Sequence, residues 1–137
     1  MKNVLKTGFL IVLLVASGFA AQEQAKPKID LAPMVGMWIL ELDMQGNVFA
    51  MNLELKLDEK GLLVGTLADQ MGMMPVAPVF NTEFDGATFK ADVKAQTPPD
   101  NAERILKIEA KLAEGKLAGA LNVPDMGIAL PFTGTKK

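Results

Sequence analysis

The chain of 137 residues has no cysteine, no histidine and no tyrosine, and only one tryptophan. Without histidine or cysteine there is no Ser-His-Asp triad, no thiol nucleophile, no zinc site of the usual ligand set and no imidazole for acid–base work. Carboxylates, lysines and hydroxyls are all that remain for catalysis. Missing cysteine does not argue against export, because a domain of this length builds a core without disulfides. Basic charge is also scarce: 14 Lys and Arg stand against 16 Asp and Glu, and no basic cluster occurs. Nucleic acid and anionic membrane surfaces both need such a cluster, so neither is an expected partner.

The start, "MKNVLKTGFLIVLLVASGFAAQEQA", carries Lys2 and Lys6, then an apolar run from Phe9 to Ala16, then the small residues Gly18 and Ala20. This order predicts a secretory signal peptide over residues 1–20. A membrane anchor is the competing reading, but the apolar stretch from Gly8 to Ala21 has 14 residues, short of the ~20 that span a bilayer. Residues 21–33 are polar and proline-bearing and read as a flexible leader. Residues 34–137 form one domain, expected to be periplasmic or extracellular, with no membrane span once the signal is removed. Cleavage takes Lys2 and Lys6 with it, leaving 12 basic against 16 acidic residues, a net charge near −4.

From Met34 onward apolar and polar residues alternate. In "FAMNLELKLD", Phe49, Met51, Leu53, Leu55 and Leu57 share one face, and Asn52, Glu54 and Lys56 take the other. Period two of this kind predicts half-buried strands. Residues 102–113, "AERILKIEAKLA", have good helix propensity, yet helical spacing scatters Leu106, Ile108 and Leu112 around the cylinder. Period two sorts them onto one face, and strand is favoured. Glycine- and Asp-Gly-type breaks divide the domain into eight strands, near 35–45, 47–58, 62–69, 74–84, 87–97, 103–113, 116–123 and 128–135. The fourth is weakened by Pro75 and Pro78, which suit an edge or a bulge.

A weak repeat runs through the domain: "GLLVGTLADQMG" (61–72) and "GKLAGALNVPDMG" (115–127) both read as strand followed by a Met-Gly turn. Gly65 and Gly119 take the inward phase of their strands, where glycine permits sharp coiling or close approach of another wall. Eight antiparallel strands with one apolar face each predict an all-β fold, an up-and-down meander closed into a barrel; a two-layer sandwich is the alternative.

"GMWILEL", with Gly36 and Trp38, resembles the Gly-x-Trp opening of lipocalin-like (calycin-like) barrels. The segments "LVGTL" and "LAGAL" and the ending "LPFTGTKK" are similar to small exported bacterial barrel domains of that general kind. The resemblance implies a barrel whose closed end is plugged by Trp38, with Gly36 as part of that structure and a mouth at the other end.

In an up-and-down meander the turns 45–47, 69–72, 97–102 and 124–127 share one end, opposite Trp38. Met44, Met71, Met73, Met74 and Met126 fall on or beside those turns, and so does Arg104, the only arginine. These six are the candidate ligand-binding residues. Methionine packs irregular gaps and makes adaptable apolar surfaces; its thioether also suits Cu(I). Arg104 has the inward phase of Leu106 and Ile108, and reads either as an anchor for an acidic headgroup or as a side chain that snorkels to water. Glycosidase chemistry needs converging carboxylates, but Glu54, Asp92 and Glu109 take the wet phase. The expected function is a non-catalytic barrel without cofactor or resident metal. It binds a small apolar or amphipathic ligand at the methionine-rich mouth. The alternatives are a solid barrel serving as a structural or protein-interaction domain, and Cu(I) binding through thioethers.

Overall fold

The computed structural model describes residues 29–137. The expected signal peptide and residues 21–28 of the leader lie outside the described residues. Eight strands follow one another in chain order: β1 (Gly36–Met44), β2 (Asn47–Leu57), β3 (Leu63–Asp69), β4 (Ala77–Phe84), β5 (Thr88–Thr97), β6 (Ala102–Ala113), β7 (Lys116–Val123) and β8 (Ile128–Lys136). Each pairs antiparallel with its sequence neighbour, and β8 pairs back onto β1 to close the barrel. The architecture is the expected meander and not a sandwich. Residues 102–113 are strand, as their period implies, paired along nearly their whole length with β5.

Alternation decides what faces where. Trp38, Leu40 and Leu42 of β1, Met51, Leu53 and Leu55 of β2, Phe89 and Val93 of β5 and Ile108 of β6 all point inward and are buried. Outward positions carry Glu54, Lys56, Lys90, Lys94, Lys107, Glu109 and Lys111, all exposed. That is the reverse of a barrel with an apolar belt facing lipid.

The closed end is built on Trp38. Its Nε1–H donates to the Met34 carbonyl at 2.9 Å, so the buried indole N–H is satisfied. Met34 belongs to a 3-10 turn, Ala32–Met34, and is itself fully buried. Ala32 and Pro33, read from the sequence as the end of the leader, take part in this turn. The Lys136 ammonium lies 5.6 Å from the indole centroid and donates to the Pro33 carbonyl at 3.1 Å. First and last strands are thereby clasped over the tryptophan.

Gly36 has φ +134°, a conformation that side chains disfavour. Gly65 and Gly119 face inward as expected. A Cβ on Gly65 would collide with the Glu54 carbonyl, and one on Gly119 with the Glu109 carbonyl. The close approach is to the adjacent strand, so these glycines serve the coiling of the sheet. Gly65→Val or Gly119→Val is expected to destabilise the barrel by more than ~2 kcal/mol. Chemical denaturation checks this, and a change below ~0.5 kcal/mol would mean the strands part freely there.

Proline shapes the weakest seam. β4 begins at Ala77, three residues later than expected, because Pro75 cannot donate to a ladder. It pairs with β3 at only three positions, Gly65↔Val79, Thr66↔Pro78 and Leu67↔Ala77. Its register against β5 then shifts between Phe80 and Glu83, with Asn81 at φ +50°. Beyond the shift, the Thr82 hydroxyl donates to the Leu63 carbonyl at 2.6 Å, a side-chain substitute for the missing backbone pairing.

Candidate functional site

The half of the barrel nearest Trp38 is filled. At the other end, which collects the β1–β2, β3–β4, β5–β6 and β7–β8 connections, a cavity of about 850 Å3 opens to solvent, with Leu42, Met51 and Leu106 buried at its floor. Its walls are Leu42, Met44, Phe49, Met51, Met73, Met74, Pro98, Leu106, Leu121, Val123, Met126, Ile128, Ala129, Leu130 and Pro131, and only Asp43, Gln45 and Thr97 add polar groups. Five thioethers therefore border one space: Met44 from the end of β1, Met51 from β2, Met73 and Met74 from the β3–β4 loop, and Met126 from the 3-10 turn Pro124–Met126.

Of the six expected binding residues, the structure brings Met44, Met73, Met74 and Met126 together around this cavity. Met71 and Arg104 are not in its lining. Met71 is 71% exposed and projects from the loop. Met51, a middle-of-strand residue read only as core, joins the lining instead.

The loop carrying the methionines is held by Asp69, which is buried. One carboxylate oxygen accepts from the Met71 N–H and the other from the Met73 N–H, both at 2.8 Å, and the Asp69 carbonyl accepts from the Gly72 N–H at 3.2 Å. Gly72 has φ +74° and Gly127, in the matching β7–β8 turn, φ +65°, values that glycine adopts without a steric cost. Asp69 is the residue that sequence reasoning missed. Its signal was the turn chemistry of an aspartate that binds the N–H two residues on.

Arg104 keeps its inward phase but its fork is occupied. Nη1 donates to the Thr97 hydroxyl at 2.7 Å and to Asp100 Oδ1 at 2.8 Å, and Nη2 donates to Asp100 Oδ2 at 3.0 Å. The bidentate pair clasps the β5–β6 loop to the strand behind it. The guanidinium holds the Asp100 carboxyl well below the usual carboxylate range, helped by the Ala102 N–H, and Asp100 in turn raises the Arg104 value. Two other carboxyls are lowered: Asp92 by hydrogen bonds from Asn81 and Lys107, and Asp85 by the N–H groups of Thr88 and Ala87. Each folded value lies below the unfolded one. The stability these groups contribute is therefore present above the ordinary aspartate value of about 3.9 and is lost as pH falls below it. Melting temperature is expected to hold above about pH 5 and to fall steadily below about pH 4, with Asp100→Asn flattening part of that slope. A melting temperature that rises on acidification would contradict this.

A second, polar cleft of about 590 Å3 lies on the outer wall beside the β4 irregularity, lined by residues that include Asn81, Glu83, Lys90, Asp92, Lys107 and Glu109. Its best-placed charges satisfy one another, Lys107 donating to Asp92 at 3.0 Å and Asn81 to the other oxygen of Asp92 at 3.0 Å. It is a solvated groove between strands, whereas the mouth cavity is apolar and concave.

Comparison of the chain with known proteins finds no matching family model, no matching curated protein and no matching solved structure.

Proposed function

We propose that this chain is an exported, non-catalytic lipocalin-like barrel that carries one small apolar or amphipathic molecule in the methionine-lined cavity. The observation that supports this most is the recess at the mouth, a cavity of about 850 Å3 with almost wholly apolar walls. Small-molecule sites usually occupy ~300–1,000 Å3 and are lined in this way. The cavity's opening to solvent gives a ligand a way in, and its apolar lining is of the kind that a purely structural barrel has no need to present. Methionine walls suit a ligand of variable shape, because the unbranched thioether repacks easily.

The experiment is a fluorescence titration with the neutral dye N-phenyl-1-naphthylamine. The reading expects saturable binding of one dye per chain, weakened when the methionines are oxidised to the polar sulfoxide. Linear, non-saturating fluorescence would refute it. Cu(I) is the second reading, favoured by five thioethers around a single space. It expects tight Cu(I) binding that is lost on replacing Met73 and Met74, and that competes with the dye.

Export is supported by the signal-like start. Mass spectrometry of the protein from its native cell should find the N-terminus near Ala21; a product that retains Met1 in the membrane would refute it.

A further inference from the structure

Resting on the binding reading above, we propose that the cavity selects its ligand by charge: it takes neutral and cationic amphiphiles and turns away carboxylates, with the headgroup leaving through a notch between β1 and β8 beside Asp43.

The notch follows from the register. The β1–β8 ladder runs from Trp38↔Lys136 to Leu42↔Phe132 and stops there. Toward the mouth, Asp43 and Met44 on one side and Ile128 to Pro131 on the other have no partner across this seam. Pro131 is the first residue past the end of the ladder, and it has no N–H with which to extend it. Asp43, Ala129 and Pro131 have the outward phase of their strands, yet all three border the cavity. The apolar space thus reaches the outer surface sideways through this seam, not only upward through the mouth. An apolar tail among the methionines has its polar end at Asp43.

The charge inventory gives that exit its sign. Asp43 is the one charged residue in the cavity lining. Among the described residues it has no cation at salt-bridge distance. One of its oxygens accepts from the Gly46 N–H at 2.9 Å, which leaves the other free. Three cations stand in the mouth half of the described barrel, and each is matched, Lys107 by Asp92 at 3.0 Å. Lys94 faces Glu103 at 3.4 Å and Arg104 is forked by Asp100 at 2.8 Å. Asp125, in the β7–β8 connection, adds another carboxylate to the same end. A carboxylate headgroup would meet an unmatched negative charge and, among the described residues, no free cation. An ammonium would meet Asp43, with Phe49 in the same wall as a ring of the kind that receives alkylammonium groups.

The test is displacement of N-phenyl-1-naphthylamine by three probes with the same chain: dodecyltrimethylammonium, 1-dodecanol and dodecanoate, at neutral pH and below their aggregation limits. At low salt the cation is expected to displace the dye at about tenfold lower concentration than dodecanoate, with dodecanol between them, the size of one opposed against one matched charge near the surface. Raising the salt to about 1 M should close most of that gap. Asp43→Asn retains an acceptor for the Gly46 N–H and so preserves the turn; it is expected to shrink the gap to about twofold, while dodecanol is unaffected. Dodecanoate binding as tightly as the cation would overturn the charge selection while leaving the cavity reading standing. A gap that survives Asp43→Asn would overturn the role of Asp43. If the dye itself does not bind, the cavity reading falls and this inference falls with it.

Discussion

Trp38→Ala is expected to destabilise the barrel by ~3–5 kcal/mol, the range for deleting a large buried aromatic. The indole is 1% exposed and packs in the filled half of the lumen. Its loss also leaves the Met34 carbonyl without its donor and takes away the surface under the Lys136 ammonium. The end of β8 and the Ala32–Met34 turn are both tied to this point, so the effect is larger than a cavity of equal volume in mid-strand. Trp38→Phe retains most of the packing and should lose less, mainly the ~1–3 kcal/mol of an unpaired buried carbonyl. Equilibrium denaturation measures both. A loss below ~1 kcal/mol for the alanine variant would place Trp38 outside the core and remove the closed end from the account.

The second large effect separates the two halves of the lumen. Leu121→Trp adds bulk to a side chain that borders the open cavity. Although Leu121 is itself only 5% exposed, the added ring can extend into the cavity, so the substitution should cost less stability than the same change deeper in the barrel and weaken dye binding by more than about tenfold, since occupying the space forfeits the ~25 cal/mol gained per Å2 of apolar surface buried. Leu117→Trp makes the same addition four residues earlier on β7, in the filled half, where Leu117 is wholly buried. There it has nowhere to go, and overpacking should cost ~1–3 kcal/mol or more. Equal destabilisation by the two substitutions would mean that the lumen is uniformly packed.

The strands were legible because a residue's face in a strand depends on parity alone. Phe49, Met51, Leu53 and Leu55 could be assigned to one side without any knowledge of their partners. Parity also placed the ends: in a meander every second turn returns to the same rim, which is why Met44, Met73, Met74 and Met126 could be brought together from positions far apart in the chain. Within a loop no such rule holds. Met71 and Met73 share the β3–β4 loop, but the Asp69 hydrogen bonds orient it so that only the second borders the cavity. Arg104 was legible as inward but its partner was not, because Asp100 reaches it only through the conformation of the β5–β6 loop. The Ala32–Met34 plug was hidden by composition. Its proline and polar neighbours look like a leader, and only the indole N–H, which needs an acceptor, reveals that Met34 must fold back. The notch beside Asp43 depends on where a ladder between the first and last strands ends, a contact with the longest sequence separation in the domain.

Methionine methyl NMR tests the proposed mouth cavity most directly. With 13C-methyl methionine, each thioether gives its own signal, and titration with 1-dodecanol reports which ones meet the ligand. The account predicts shifts at Met44, Met51, Met73, Met74 and Met126, the five that border the cavity, and none at Met34, buried under Trp38 at the far end. Unmoved signals at all five, or shifts confined to Met34 and Met37, would contradict it.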